Sequence, residues 1–301
     1  MPAQVTHYLQ SQDVCEKLNI DPRYRDAVAL GALGPDFLYY FKLFSGGGSL
    51  HEIGVKLHSV GADELFSSFA RYITAHPDDM QARFYAYGFL CHYAFDKIAH
   101  PYVYFVQDTI VNAEKYTKKP FFIHVRIEHF LDIIMMREKR ECSVSEFGLK
   151  NCVPKNQSAI ESASEIIAFV INEVLPDSKI TANDCKKAFL DTRRALAISN
   201  DRTGIKRFGA RLLETLCLMN KTVSYFVHPF MEDGEWDYSN YEKAEWVDNT
   251  NGEKHDDSFF EMYDNSVEFS AQLCEKFGEY IQNKNTNIDF TGNFDMKGYK
   301  R

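Results

Sequence analysis

Imidazoles and carboxylates recur at four-residue steps in two apolar stretches of this chain. His92, Asp96 and His100 occupy positions i, i+4 and i+8, and His124 and Glu128 repeat the i, i+4 step. At about 100° per residue, the first three side chains fall within an arc of about 80° on one helix face, over roughly 12 Å of its axis. That distance is long for a single metal ion but suits two or three neighbouring ions. A His and a carboxylate four residues apart on one face resemble the ligand pairs of known zinc sites.

Each of these pairs taken alone has an ordinary explanation, because a His or Asp among apolar neighbours is commonly a hydrogen-bonded core residue. The five residues taken together are harder to explain in this way. The five residues lie in strongly apolar, aromatic segments, where an unpaired carboxylate is costly to bury. Divalent cations would supply the compensating charge. The sequence therefore predicts a metal site, with a hydrogen-bonded core as the alternative.

The order of these residues resembles that of the zinc-dependent phospholipase C family, which shares its helical fold with single-strand-specific zinc nucleases. The resemblance rests on His92-x3-Asp96-x3-His100 followed by His124-x3-Glu128. It extends to Val5-Thr6-His7, to Gly34-Pro35-Asp36 and to His58. The similar part covers about residues 1–140, and a weaker similarity continues at Trp246 and residues 258–260.

The resemblance implies up to three zinc ions in a cleft between helices, held by three sets of ligands. The first set is Asp36, His58, His92 and Asp96. The second set is His100, His124 and Glu128. The third set is His7, Asp96 as a bridging carboxylate, and the N-terminal residue, which would be Pro2 after removal of Met1.

Two features depart from the family pattern. Secreted members expose a Trp as the N-terminal ligand, whereas this chain would expose Pro2. Three residues separate Asp96 from His100 where secreted members have five. His51 competes with His58, which we prefer because an apolar lead-in and a capped helix surround it. His129 would point about 100° away from Glu128, so we expect it to support the site or the fold.

Zinc ions at this spacing would acidify a bridging water and neutralise phosphoryl oxygens, so we predict hydrolysis of a phosphate ester, as in phospholipase C. Asp36 is the predicted catalytic residue, which would orient or deprotonate the water. The expected substrate is a phospholipid or a smaller phosphodiester. A nuclease or nucleotidase on the same scaffold, and a non-catalytic protein braced by its metals, are the alternatives.

Helices must position these residues. Apolar side chains recur at three- and four-residue steps in residues 63–73, 82–106, 121–140, 158–174, 181–198, 204–227 and 257–282. Pro101 is expected to interrupt the second stretch. Strand patterns are sparse, and residues 44–54, with three central glycines, and 231–256 indicate irregular loops. We predict an all-α, single-domain helical bundle over residues 1–283, followed by a frayed polar tail over residues 284–301.

Charge and composition exclude several classes of protein. The 301 residues include 34 Lys+Arg and 43 Asp+Glu, a net charge of −9, so we expect no stable nucleic-acid complex. We find no run of roughly 20 apolar residues that could span a membrane, and no secretory signal. The seven cysteines form no CxxC pair, which is typical of a reducing compartment. The sequence therefore predicts a cytoplasmic location.

Overall fold

The computed structural model describes residues 4–43, 50–113, 120–216 and 223–301, and helices dominate it. The α-helices in these residues are α1 (Gln4–Lys17), α2 (Arg25–Gly31), α3 (His51–Leu57), α4 (Ala62–Ala75), α5 (Met80–Ala113), α6 (Pro120–Arg140), α7 (Val144–Phe147), α8 (Gln157–Val174), α9 (Ala182–Ser199), α10 (Ile205–Leu216), α11 (Val223–Phe226) and α12 (Phe259–Gln282). Short 3-10 helices cover Pro22–Tyr24, Asp36–Tyr40 and Leu149–Cys152. The predicted all-α class is confirmed.

Most predicted helices are confirmed close to their expected bounds, and their caps explain where they begin. Thr181 Oγ1 accepts a hydrogen bond from Asp184 N (3.1 Å) at the start of α9, and Ser258 closes a similar capping box at α12. Residues 204–227 contain α10 and α11, and the segment between them lies outside the described residues. Within the predicted loop 231–256, strands β1 (Trp246–Val247) and β2 (Lys254–His255) pair antiparallel.

Two predicted boundaries are wrong. Pro101 does not interrupt α5, which is 34 residues long in all and extends beyond Pro101 to Ala113. The lost hydrogen bond is tolerated because α5 packs against α2, α6 and α12, and residues on both sides of Pro101 are buried. The predicted loop 44–54 ends early, because α3 begins at His51. Its three glycines lie outside the described residues.

The C-terminal segment does not fray, so that expectation is also wrong. Phe294 O accepts a hydrogen bond from Ala62 N (3.1 Å), and Asn293 Oδ1 accepts one from Asp63 N (3.3 Å). The segment therefore satisfies N–H groups at the start of α4, which have no partner inside that helix. Met296 is buried beside α5. The division of the chain at residue 283 stays a prediction.

Two glycines allow α2 and α5 to pack with their backbones in contact. A Cβ at Gly31 would lie 2.0 Å from Tyr85 O, and a Cβ at Gly88 would lie 2.0 Å from Val28 O. Any larger residue would push the helices apart. This close crossing places His92, one turn after Gly88, against the chain that follows α2.

α5 is the central helix, and the apolar core surrounds it with side chains from α1, α2, α4, α6, α8, α9 and α12. Among the helices in the described part of the chain, none is long and apolar enough to cross a bilayer. The six cysteines that the structure describes are free thiols, as predicted, and Cys217 lies outside the described residues.

Candidate metal centre

The predicted ligands come from distant parts of the sequence and converge in one place. α1 supplies His7, and the 3-10 helix Asp36–Tyr40 begins with Asp36. His58 directly follows α3. α5 supplies His92, Asp96 and His100, and α6 supplies His124 and Glu128. The structure brings all eight of these side chains together, whereas Pro2, the ninth predicted ligand, lies outside the described residues.

Among the described residues, three groups each place their ligand atoms within 4.8 Å of one another. One group is Asp36, His58 and His92, and another is His100, His124 and Glu128. The third is His7, His92 and Asp96. The second group is the predicted one. The first lacks Asp96, which was predicted as its fourth member, and the third contains His92 in addition to the predicted His7 and Asp96.

Asp96 is the centre of the cluster. Its Oδ1 lies 3.1 Å from His7 Nε2, and its Oδ2 lies 3.1 Å from His92 Nε2. The same Oδ2 is 3.4 Å from His100 Nδ1 and 3.8 Å from His58 Nε2. A carboxylate with imidazoles on both oxygens has the placement that a bridging metal ligand requires.

Backbone carbonyls fix the orientation of three imidazoles. Nδ1 of His58 lies 2.8 Å from Gly54 O, and Nδ1 of His92 lies 3.1 Å from Ala32 O. Nδ1 of His100 lies 3.1 Å from Met296 O. Because a carbonyl only accepts hydrogen bonds, each Nδ1 must carry the proton. Each Nε2 then presents a lone pair, and this arrangement is typical of metal-binding histidines.

The lone pairs of His92 and His58 face carboxylates, so the residues present fit divalent cations. Nε2 of the fully buried His92 is 3.1 Å from Asp96 Oδ2, and Nε2 of His58 is 3.2 Å from Asp36 Oδ1. Two acceptors at this distance repel each other unless a proton or a metal ion lies between them. Since His92 Nδ1 is committed to Ala32, His92 can bind only one metal at a time.

Gly34 is required directly beneath the cluster. Its φ of +53° lies in the left-handed region, and a Cβ there would lie 2.1 Å from His92 Cδ2. Only glycine meets both demands at low cost. The Gly34-Pro35-Asp36 turn therefore does two things at once: it starts the 3-10 helix at Asp36 and leaves room for the His92 ring.

A buried carboxylate outside the cluster anchors the start of α1, next to His7. Asp132 of α6 accepts hydrogen bonds from Thr6 N (2.8 Å), Thr6 Oγ1 (2.7 Å) and Val5 N (3.2 Å) at the start of α1. These contacts satisfy N–H groups that lack partners inside the helix, and a negative charge suits a helix N-terminus. We did not predict this contact, because Asp132 lies 125 positions after His7 and no local pattern connects the two.

Comparison with known proteins agrees with this geometry. The sequence model of the family described as zinc dependent phospholipase C matches residues 4–172, more than half of the chain. The chain belongs to this family. Searches of the curated proteins and of the solved structures found no match. Membership in a zinc-dependent family, together with the three groups of ligand atoms, supports zinc as the metal of this phospholipase C-like chain.

Burial and neighbouring groups shift the pKa values of the cluster in opposite directions. Burial raises the pKa of Asp96, but the neighbouring imidazoles of His100 and His92 outweigh it and hold that pKa well below its usual range. Glu128 is also buried, and His124 lowers its pKa. Burial would lower the pKa of His7, yet its contact with Asp96 raises that pKa. The carboxylates therefore stay ionised, as metal ligands must be.

The cluster opens to solvent through a cleft of about 290 Å³. Asp36, His58, His100 and Glu128 lie on its wall, so family ligands line the opening. Its other lining residues are Tyr39, His51, Val55, Asp96, Tyr104, Gln107, Phe121, His124 and Lys297. Lys297 comes from the C-terminal segment, and no sequence signal pointed to it.

Two histidines that we considered beside the ligands have other surroundings. His51 lies on the cleft wall with its ring 4.8 Å from that of Tyr39, and it belongs to none of the three ligand groups among the described residues. The half-buried His129 packs its ring 4.6 Å from that of His228. Burial holds its pKa well below the usual range, so His129 is a neutral packing residue.

Proposed function

We propose that this chain is a zinc-dependent hydrolase that cleaves a phosphodiester as a phospholipase C does. The observation that carries the proposal is the position of the three ligand groups at the base of an open cleft. Bound zinc supplies Lewis acidity to phosphoryl oxygens and makes water more acidic. A site that only braced the fold would have no reason to face solvent.

We assign three metal positions to the cluster. Asp36, His58 and His92 form the first, and His100, His124 and Glu128 form the second. His7 and Asp96 form the third, which Pro2 would complete after removal of Met1. The hydrogen bond from His58 Nδ1 to Gly54 O supports His58 rather than His51 as the ligand, since it turns Nε2 towards Asp36.

Asp36 is the proposed catalytic residue. It belongs to a ligand group and also lies on the cleft wall, so it can contact a metal ion and a water molecule together. Burial raises its pKa, but His58 outweighs that effect and lowers the pKa, so Asp36 is ionised at neutral pH. One carboxylate oxygen can then hold the metal while the other accepts a proton or a hydrogen bond from the attacking water.

The cleft wall favours a lipid phosphodiester over a polynucleotide. Val55 and Phe121 offer apolar surface, and Tyr39 and Tyr104 add rings with polar tips. Lys297 is the one Lys or Arg among the described lining residues, enough to attract a single phosphate. A polynucleotide backbone usually requires several such contacts, and the chain carries a net charge of −9.

A substrate panel tests the proposal. Phosphatidylcholine, single-stranded DNA, RNA and bis-nitrophenyl phosphate are compared with and without a chelator. We expect chelator-sensitive hydrolysis of phosphatidylcholine and bis-nitrophenyl phosphate. A preference for DNA or RNA would favour the nuclease alternative instead. No turnover of any substrate by zinc-loaded protein would contradict the proposal.

Asp36→Asn tests the proposed role of Asp36. We expect this variant to lose at least 100-fold in kcat while most of the zinc remains, the range for a general base. Asp201→Asn is the matched control, because Asp201 is as deeply buried as Asp36 but lies outside the cleft. Unchanged turnover in Asp36→Asn would refute the assigned role.

A further inference from the structure

α10 presents its apolar face to solvent. Its large apolar residues are 50–70% exposed, and they are Ile205, Phe208, Leu212, Leu213 and Leu216. At about 100° per residue they occupy an arc of about 140° on one side of the helix. A Cβ at Gly209, within this arc, would contact nothing within 4 Å. The whole apolar side of the helix therefore faces outward.

The side of α10 that carries Glu214 faces the protein. Glu214, about 180° from Ile205 on the helix, is 3% exposed and accepts a hydrogen bond from Ser224 N (2.9 Å). The backbone N–H of Arg207 donates to the buried Asp201 (2.9 Å). An amphipathic helix normally buries its apolar face. The orientation here is reversed and is held by polar contacts, and none of the described residues covers the apolar face.

The charge around this face is positive. Arg202, Lys206, Arg207 and Arg211 lie in or just before α10, and the acidic residues between positions 201 and 216, Asp201 and Glu214, are both buried. This local excess contrasts with the net charge of −9 for the chain. A basic amphipathic helix with an exposed apolar face is complementary to an anionic lipid surface.

Packing contacts through α11 and α6 link α10 to the mouth of the cleft. α10 packs against α11, whose Tyr225 stacks on Phe122 of α6 with ring centroids 5.0 Å apart. The preceding residue, Phe121, is 44% exposed and lines the cleft. On the other flank, the exposed Ile198 is tied to α10 by a hydrogen bond from Lys206 Nζ to its carbonyl (3.0 Å).

We propose that the outward face of α10 is a docking surface for anionic phospholipid membranes. Ile205, Phe208 and Leu212 enter the boundary between headgroups and acyl chains, while Arg211 contacts anionic headgroups. The inference rests on the proposed function, because a lipid substrate would lie in the surface that α10 binds. The attraction acts over short distances, because salt screens charges that are more than about one Debye length apart. Acidic residues farther than this from the membrane therefore do not oppose it.

Vesicle flotation tests the docking surface without requiring turnover. Full-length protein is mixed with phosphatidylcholine vesicles that contain or lack phosphatidylserine. We expect binding to the anionic vesicles, and at least tenfold weaker binding by the double variant Phe208→Ser, Leu212→Ser. Both side chains are exposed, so the variant should fold. Tyr241→Ser removes an equally exposed aromatic ring outside α10 and should bind as the unmodified protein does.

Further measurements separate this surface from its alternatives. Arg211→Glu should reduce the preference for phosphatidylserine, and added salt should do the same. Equal vesicle binding by the double variant would overturn the proposal. So would a dimer in sedimentation that the double variant converts to monomer without any binding to vesicles. Turnover of bis-nitrophenyl phosphate reports on the active site alone, so absent turnover with intact flotation would refute the proposed function and leave the docking surface standing.

Discussion

Gly34→Ala should damage the metal centre through a single added methyl group. The new Cβ would lie 2.1 Å from Cδ2 and 2.4 Å from Nε2 of His92, a ring that is completely buried and held to Ala32 O. His92 has no space to retreat without breaking that hydrogen bond. The ring must therefore turn or move, and its Nε2 leaves the position shared with Asp36 and His58.

The cost of this substitution has two parts. A non-glycine residue at φ +53° costs about 1–3 kcal/mol in backbone strain. Overpacking against His92 costs about 1–3 kcal/mol more. Their sum, about 2–6 kcal/mol, should lower Tm by roughly 4–12 °C in a chain of this size. The substitution should also release zinc from the position formed by Asp36, His58 and His92.

Gly204→Ala is the matched control. Gly204 has φ +75°, but a Cβ there would contact nothing within 4 Å, so the variant carries the backbone strain alone. Zinc content by elemental analysis and Tm by calorimetry are compared between the two variants. Gly204→Ala should keep its zinc and lose less stability. If the Gly34→Ala protein had the same zinc content and Tm as the original protein, this explanation would be refuted.

Three further predictions follow from the contacts around the centre. Asp132→Ala leaves the buried N–H groups of Val5 and Thr6 without their acceptor, so it should lower the free energy of unfolding by about 2–5 kcal/mol. Urea titration measures this, and a change below about 1 kcal/mol would contradict it. Lys297→Met should raise KM for a phosphodiester by roughly 3- to 10-fold with little change in kcat, and an unchanged KM would show that the ammonium does not bind substrate. Because its contact with Asp96 raises the pKa of His7 above about 6.5, the stability from that proton is complete below pH 6.5 and is lost as the pH rises through the folded value. Chelated protein should thus lose Tm as the pH rises above 6.5, whereas zinc-loaded protein should not, and parallel pH profiles would contradict this.

The parts of the structure that the sequence predicted are those encoded by local spacing. The four-residue steps from His92 to His100 and from His124 to Glu128 place side chains on one helix face whatever the surrounding fold. The capping box at Thr181 fixes the start of α9, in the predicted helical stretch 181–198, by equally local contacts. The family resemblance supplied the remaining ligands, since nothing local connects His7 or Asp36 with α5.

The features that escaped prediction depend on contacts between distant residues. The carbonyl of Met296 orients His100 across 196 positions, and Asp132 reaches α1 across more than 120. Local propensity predicts that Pro101 interrupts a helix, because it takes no account of the packing that holds α5 together. The sequence predicts a frayed C-terminal segment because it does not reveal the hydrogen bond that Asn293 accepts from Asp63 N at the start of α4, 230 positions away.

α10 shows a different limit. Its amphipathic pattern is plain in the sequence, but periodicity does not tell which side faces the protein. The usual assumption places apolar side chains inside. Here Glu214 takes the inner side and Phe208 the outer, so only the structure shows the exposed face.

Diffraction at the zinc absorption edge tests the central claim most directly. Crystals of protein purified without added metal should give anomalous peaks about 2.0–2.1 Å from the Nε2 atoms of His58 and His92. A second peak should lie among His100, His124 and Glu128, and a third beside His7 and Asp96. Active protein whose anomalous peaks lie elsewhere, or that shows none, would contradict the assignment of these residues as the metal centre.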